Sequence, residues 1–131
     1  MSKLQIRDAV GADLNALVAL ETACFDSDRL SRRSFRHFLQ QDQHCFLVAK
    51  DSSQLQGYVL VFLHRGTHLA RLYSIAVDPA ARGRGIAHLL IEAAETRCAA
   101  DGRINMRLEV RTDNAGAIHL YDQLAFRPFG E

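Results

Sequence analysis

The sequence predicts an α/β (α+β) domain in which helices flank a mixed, mostly antiparallel sheet. Three segments with strand character follow one another directly, as in an antiparallel meander. Helical patterns stand on either side of them, and the predicted order is β-α-α-β-β-β-α-β-α-β. The 131 residues contain no repeat, low-complexity tract or linker, so we expect one domain over 1–131.

The first third of the chain predicts one strand and two helices. Residues 3–9 alternate apolar and polar side chains, as a half-buried strand does. Asp13 is predicted to cap the first helix and Ser31 to cap the second, shorter one. The side chains at helical spacing are Leu14, Leu17, Val18 and Glu21 in the first helix, and Phe35, Phe38 and Leu39 in the second.

The middle third predicts the meander. The segment 45–50 is short and apolar, and the segment 57–64 is rich in β-branched and aromatic side chains. Residues 69–77 are predicted to form the third strand. Asp78-Pro79 is predicted to end that strand, because proline has no N–H to give to the sheet and disfavours a helical residue before it.

The last third predicts two further helices and two strands. A long helix is expected from near Gly85 to about Ala100, and Asp101-Gly102 provides its stop signal. Its predicted apolar face consists of Ile86, Leu89, Leu90, Ala93, Ala94 and Cys98. A strand over 104–110 follows, then a helix that contains Ala117, Leu120, Tyr121 and Leu124, and finally a strand that begins at Phe126.

Composition excludes several classes of function. The 16 basic and 15 acidic side chains nearly cancel, so no large positive field favours nucleic-acid or membrane-surface binding. No apolar run approaches the roughly 20 residues that cross a bilayer, and the N-terminus is too polar for a signal peptide. The three scattered cysteines indicate neither disulfides nor a metal site. We therefore expect a soluble cytoplasmic protein.

The segment between the third meander strand and the long helix has the composition of a phosphate site. Glycines at 83 and 85 precede a helix N-terminus, whose free N–H groups and partial positive charge attract anions. An ordinary strand-to-helix turn that uses glycine for positive φ is the alternative. A Walker loop does not fit, because no Lys-Ser or Lys-Thr follows, and His88 stands at the third glycine position of a dinucleotide fingerprint.

Two motifs carry a family resemblance. In the segment that runs from Ile75 to Ala87, Arg82, Gly85 and Ala87 fill the fixed places of a Q/R-x-x-G-x-G/A pattern. The second half contains Leu108-Glu109-Val110-Arg111, then Asn114, Ala117, Leu120-Tyr121 and Phe126. The first motif resembles the acyl-CoA motif of the GNAT N-acetyltransferases, and the second resembles the ribosomal-protein N-terminal (alanine) acetyltransferases within that superfamily. The predicted element order is also the GNAT order.

The resemblance implies acetyl-CoA as cofactor and assigns roles to individual residues. Glu109 would be the general base and Tyr121 the general acid. The backbone of Ile75, Ala76 and Val77 would pair with the pantetheine arm. The residues that would hold the rest of the cofactor are Arg82, Gly83, Arg84, Gly85, Ile86, Ala87, His88 and Asn114. Two alternatives stay open: Tyr121 as an ordinary core tyrosine, and Glu109 as a solvated carboxylate on its strand.

The implied activity is direct acetyl transfer to an amine, with a protein or peptide N-terminus as the expected acceptor. An α-amino group is roughly a tenth neutral at pH 7, whereas a lysine amine is neutral only a few times in ten thousand, so a weak base such as Glu109 suits the former. A small-molecule amine acetyltransferase and a CoA-binding but inactive interaction module are the alternatives.

The acceptor side is less specified. The family places its acceptor loop between the first two helices, which makes Phe25, Leu30 and Phe35 candidate walls. Arg29, Arg32, Arg33 and Arg36 form either a solvated helix face or an attractor for acidic groups. Relative to the family pattern, Ala125 replaces a glycine and the chain is C-terminally shortened. We expect this to expose a strand edge beside 104–110 through which a homodimer could form.

Overall fold

The computed structural model describes residues 4–27, 29–40, 44–52, 54–63, 69–100 and 105–108. Its strands are β1 (Leu4–Asp8), β2 (His44–Asp51), β3 (Gln54–Leu63), β4 (Leu69–Val77) and β5 (Asn105–Leu108). Its α-helices are α1 (Leu14–Cys24), α2 (Arg32–Leu39) and α3 (Ile86–Ala100), with single 3₁₀ turns at Gly11–Asp13 and Pro79–Ala81. The predicted order is confirmed as far as β5. The helix and strand predicted after it, and the strand edge beyond Leu108, lie outside the described residues.

The strands form one mixed sheet in the order β1-β2-β3-β4-β5. The pairs from β1 to β4 are antiparallel, and β5 lies parallel to β4. A parallel pair needs a crossover connection, and α3 supplies it between β4 and β5. The mixed, mostly antiparallel sheet predicted from the sequence is therefore confirmed.

Helices cover both faces of the sheet. On one face, α3 packs its buried side chains on alternate residues of β2, β3 and β4. On the other face, α1 and α2 enclose a second core cluster that includes Leu17, Phe25, Phe35 and Tyr58. None of the helices in the described ranges is both long and apolar enough to cross a membrane.

The helix boundaries match the prediction more closely than the helix faces do. In α3, Leu89 was expected on the buried face but is 43 % exposed, whereas Ile91 is buried. The buried stripe is thus rotated, and it runs through Ile86, Leu90, Ile91, Ala94 and Cys98. The prediction was wrong here because several apolar stripes of similar width fit one helix, and only contact with the sheet selects among them.

The predicted cap of α1 is also wrong in its mechanism. Asp13 stands directly before α1, but its carboxylate accepts no hydrogen bond from that helix. It accepts the Val10 N–H at 2.8 Å and forms a two-point ion pair with Arg7 at 2.9 Å. Ser31 does cap α2 as predicted, because its hydroxyl accepts the Ser34 N–H at 3.0 Å.

Gly57 brings β3, β4 and α3 together at one point. A Cβ atom at this residue would lie 2.8 Å from the Ala76 carbonyl oxygen and 3.1 Å from a Leu90 methyl carbon. The close approach therefore requires glycine. It sets the end of β4 directly beneath α3, where the β4–α3 loop begins.

Candidate functional site

The loop between β4 and α3 has a tightly defined backbone. After Val77, the Asp78 side chain accepts the Ala80 N–H at 2.8 Å, and its carbonyl accepts the Ala81 N–H at 2.8 Å. Gly83 and Gly85 follow with φ of +89° and +77°. Other residues pay a steric penalty at these angles, so the turn into α3 depends on glycine at both positions.

The start of α3 provides donors for an anion. The Leu89 N–H donates to the Gly85 carbonyl at 3.1 Å, so the N–H groups of Ile86, Ala87 and His88 precede the first bond within the helix. Among the described residues, a Cβ atom on Gly83 or Gly85 would meet no atom within 4 Å, which leaves open space beside the loop. Free N–H groups, a helix dipole and open space together fit a phosphate group.

The two arginines of this loop are engaged with the protein. Arg84 donates to the Asp51 carboxylate at 2.9 Å, and Asp51 is only 8 % exposed. The Arg82 side chain donates through Nε to the Val77 carbonyl at 3.2 Å. Both side chains therefore help to fix the position of the loop, and the Arg84 side chain stays 48 % exposed.

The Val77 carbonyl connects β4 to the following loop and to α1. It accepts from Arg82 in the loop and also from the Cys24 thiol at the end of α1, whose Sγ lies 3.2 Å away. Burial raises the pKa of the Cys24 thiol, against the opposing effect of the Arg82 charge and hydrogen bond. The thiol therefore keeps its proton at neutral pH and can donate to the carbonyl.

Only part of the predicted pantetheine strand has backbone groups that face away from β3. The Asp78 N–H donates to the Gln56 carbonyl at 2.8 Å, and the register pairs Ala76 with Tyr58. Because backbone groups alternate between the two edges of a strand, those of Ala76 point to β3 while those of Ile75 and Val77 point the other way. On that side, the described pairing with β5 covers Leu69–Leu72.

A β-bulge interrupts β4 at the same place. Leu60 pairs with Ser74 and Val61 pairs with Leu72, so Tyr73 is an extra residue without a partner in the β3–β4 register. Bulges redirect side chains and backbone groups and are frequent next to active sites. This bulge lies between the last described pair with β5 and the residues whose backbone faces away from β3.

The other predicted site residues either lie around the core between α1, α2 and the sheet or fall outside the described residues. Phe25 and Phe35 are buried in the core between α1, α2 and the sheet, and Leu30 is half-buried beside it. Arg29 donates to the Phe25 carbonyl at 2.6 Å and Arg32 to the Asn15 side chain at 2.6 Å. Glu109, Asn114 and Tyr121 lie outside the described residues, so their roles stay predictions.

Sequence reasoning missed two features of this region. One is the bulge. Its signal was the spacing of the apolar residues of β4 that face α3, which fall at 70, 72, 75 and 77, so that one step is three residues long and the others are two. The other is a buried set of polar side chains formed by Glu21, Tyr58 and Ser74. Its only sequence signal was the glutamate at the apolar spacing of α1.

Comparison with known proteins agrees with this geometry. A family model described as the acetyltransferase (GNAT) family matches residues 14–126. A mycothiol acetyltransferase from Gordonia bronchialis is 45 % identical over 78 residues, which are 60 % of this chain and 25 % of that protein. The chain spans 25 %, 33 % and 61 % of the length of three curated relatives that it matches.

Solved structures share the fold. The ribosomal-protein-S18-alanine N-acetyltransferase from Escherichia coli matches with a TM-score of 0.79 at 24 % identity, over 93 % of this chain and 76 % of that chain. PaiA N-acetyltransferase from Thermoplasma acidophilum, in complex with coenzyme A, matches with a TM-score of 0.83 at 19 % identity, over 93 % and 88 %. With a family model that covers most of its length and the glycine loop where such a fold needs it, the chain belongs to the GNAT family of acetyltransferases.

Proposed function

We propose that this protein binds acetyl-CoA against the start of α3 and transfers the acetyl group directly to the N-terminal α-amine of a protein or peptide. The observation that carries the proposal is the loop at Gly83 and Gly85, where positive φ, open space and the free N–H groups of α3 coincide. Membership of the acetyltransferase family supports the reaction class.

The diphosphate would lie on the N–H groups of residues 86–88. Both loop arginines contact the protein, at Asp51 and at Val77, so affinity would come mainly from backbone donors and the helix dipole. Glycine is needed at 83 and 85 for two reasons. The backbone angles there favour glycine, and a side chain would occupy the open space.

The pantetheine arm would follow the edge of β4 that faces away from β3. Ile75 presents its N–H and carbonyl there, and Val77 presents its N–H, while the Val77 carbonyl is already used by Arg82 and Cys24. Bound acetyl-CoA would supply the thioester whose carbonyl carbon the amine attacks. The bulge at Tyr73 lies at the same edge, next to the last described pair with β5.

Proton transfer is proposed for Glu109 and Tyr121, on the resemblance of their motif. A tyrosine hydroxyl with a pKa near 10 can protonate a departing thiolate once the two are in contact, because the thiol pKa, near 8.5, is lower by only about 1.5 and the transfer is therefore only slightly unfavourable. Glu109 would accept the proton of the amine, directly or through water. The low basicity of a carboxylate favours an α-amine over a lysine amine as acceptor.

A small-molecule amine is the second candidate acceptor. It is favoured by the 45 % identity to a relative that is named a mycothiol acetyltransferase, a name that refers to no protein substrate. Both candidates use the same cofactor site and differ in the groups that bind the acceptor.

The test is acetyl-CoA-dependent thiol release with three acceptor sets: short peptides with free N-termini, lysine peptides blocked at the N-terminus, and small amines including polyamines. Turnover confined to the first set is expected. Turnover confined to small amines would replace the proposed acceptor by the second candidate. Calorimetric binding of acetyl-CoA without release for any amine would indicate a binding module, and no binding at all would refute the cofactor site.

A further inference from the structure

A buried chain of hydrogen bonds connects the α1–α2 loop to β4. Glu21, 1 % exposed near the end of α1, accepts the Tyr58 hydroxyl at 2.7 Å through Oε1 and the Leu30 N–H at 2.6 Å through Oε2. The Tyr58 hydroxyl also lies 2.7 Å from the Ser74 hydroxyl. All three side chains are buried, so their polar atoms depend on one another rather than on water.

The chemistry of the three side chains fixes which group donates and which accepts in each hydrogen bond. A carboxylate only accepts hydrogen bonds, and tyrosine has one hydroxyl proton, so Tyr58 donates that proton to Glu21. Ser74 must then donate to Tyr58. Glu21 is the end point for donors from both sides, and a glutamine could not accept at both positions because one of its terminal atoms is an NH₂ group.

The two ends of this hydrogen-bonded chain, at Ser74 and Glu21, lie where acceptor and acyl donor would meet. Ser74 follows the bulge residue Tyr73 and precedes Ile75, whose backbone faces away from β3. At the other end, Glu21 holds the loop twice, because its carbonyl accepts the Phe25 N–H at 3.0 Å and its carboxylate accepts the Leu30 N–H. The loop and the bulge are therefore connected through the hydrogen-bonded side chains of Glu21, Tyr58 and Ser74.

We propose that Glu21 is a positioning residue that sets the distance between an acceptor bound by the α1–α2 loop and the acyl group held at the bulge of β4. The inference rests on the proposed acetyl transfer. It assigns Glu21 no proton-transfer role, and it predicts an effect on the use of the acceptor that exceeds any effect on cofactor binding.

A matched control exists at the other end of α1. Asp13 is also a buried carboxylate that accepts a backbone N–H, from Val10, and it has a second partner in Arg7. Its contacts link β1 to the start of α1 and do not reach β4. Asp13→Asn therefore measures how much the loss of a buried carboxylate lowers acceptor kcat/KM and acetyl-CoA affinity when no acceptor loop is involved.

The decisive experiment compares Glu21→Gln with Asp13→Asn at saturating acetyl-CoA. For Glu21→Gln we expect kcat/KM for the peptide acceptor to fall about 10- to 100-fold, the range for a lost hydrogen bond to a charged group, with acetyl-CoA affinity changed less than about twofold. For Asp13→Asn we expect both quantities to stay within about threefold. Equal losses of acceptor kcat/KM in the two variants would overturn the proposal.

Tyr58→Phe provides a second variant if Glu21→Gln does not fold. It keeps the bond from Leu30 to Glu21 but removes the link to Ser74, so acceptor kcat/KM should again fall about tenfold. An unchanged acceptor kcat/KM in this variant would show that the link to β4 is irrelevant and would overturn the proposal.

Hydrogen exchange separates failure of this inference from failure of the proposed function. In Glu21→Gln, amides of residues 25–31 should exchange about tenfold faster, with no such change in Asp13→Asn. If the unmodified protein binds acetyl-CoA yet acetylates no amine, the proposed function fails and the positioning role of Glu21 falls with it. If the protein is active but exchange in the loop is unchanged, only the inference about Glu21 fails.

Discussion

The two loops near the site are held in place by opposite means. The loop that leads into α3 is defined by backbone angles at Gly83 and Gly85 and ends in free N–H groups. The α1–α2 loop is instead held by side chains, chiefly the Glu21 carboxylate and the Arg29 guanidinium, which contact its backbone. The first arrangement leaves backbone donors for a ligand, whereas the second uses its donors internally.

The difference suggests how each loop can vary. A loop built from backbone angles binds a group common to many ligands, such as a diphosphate, and tolerates little change at its glycines. A loop built from side-chain contacts can be repositioned by single substitutions at its anchors. We therefore expect changes in the first loop to affect cofactor affinity and changes in the second to affect the acceptor.

The largest effect is expected for Gly85→Val. A β-branched residue at φ of +77° is strained, and its side chain would enter the open space beside the loop. We expect acetyl-CoA affinity to fall by about 100-fold or more, equivalent to about 2.7 kcal/mol, as measured by calorimetry. Gly11→Val is the control, because a Cβ there also meets no atom within 4 Å and its φ is not positive. Equal affinity in both variants would contradict the loop assignment.

Arg84→Ala should separate stability from binding within the first loop. The substitution leaves the buried Asp51 carboxylate without the Arg84 ion pair, so we expect the free energy of unfolding to fall by about 1–2 kcal/mol, less than for a fully buried pair. Acetyl-CoA affinity should change less than about threefold, because the guanidinium is already paired with Asp51. Denaturant unfolding and calorimetry measure the two quantities. A large loss of affinity would instead place Arg84 among the phosphate ligands.

A smaller effect is expected for Ser31→Ala at the end of the second loop. The Ser31 hydroxyl caps α2, and loss of such a cap costs about 1 kcal/mol. Thermal unfolding should show this loss, while acetyl-CoA affinity stays unchanged. A variant that binds the cofactor more weakly would indicate that the two loops are coupled more tightly than their separate contacts imply.

The smallest effect concerns pH and lies outside both loops. Burial alone would raise the pKa of Asp13, but hydrogen bonds from Arg7 and the Val10 N–H outweigh it and lower that pKa. The resulting stability is present above the ordinary carboxyl pKa, near 4, and is lost as pH falls through the lower pKa of the folded state. Asp13→Asn should flatten the decline of Tm below about pH 4. An unaltered decline would assign the acid sensitivity to other carboxylates.

Local signals explain what could be predicted from the sequence. Proline at 79 and glycines at 83 and 85 mark the end of β4 and the start of α3, because these residues act through their own backbone angles. The glycine turn before α3 was predicted for the same reason. Ser31 was likewise found because a cap acts within a few residues of chain.

Long-range contacts explain what the sequence did not reveal. Tyr58 lies 37 residues from Glu21 and 16 from Ser74, so no local pattern connects them. The exposure of Leu89 and the burial of Ile91 depend on how α3 is seated on the sheet. Asp13 was expected to cap α1, but the Arg7 guanidinium on β1 and the Val10 N–H hold its carboxylate instead.

The unpaired residue at Tyr73 has a consequence for the whole domain. Strictly alternating side chains would carry the series of Ala70 and Leu72 on to position 74 and would turn the Ser74 hydroxyl toward α3. One inserted residue shifts the phase of the strand, so Ile75 takes that place and Ser74 reaches Tyr58 instead. A β4 strand that kept Tyr73 but lost the bulge would thus exchange the residues after Tyr73 between the two layers, whereas deletion of residue 73 would leave Ser74 and Ile75 on their present faces.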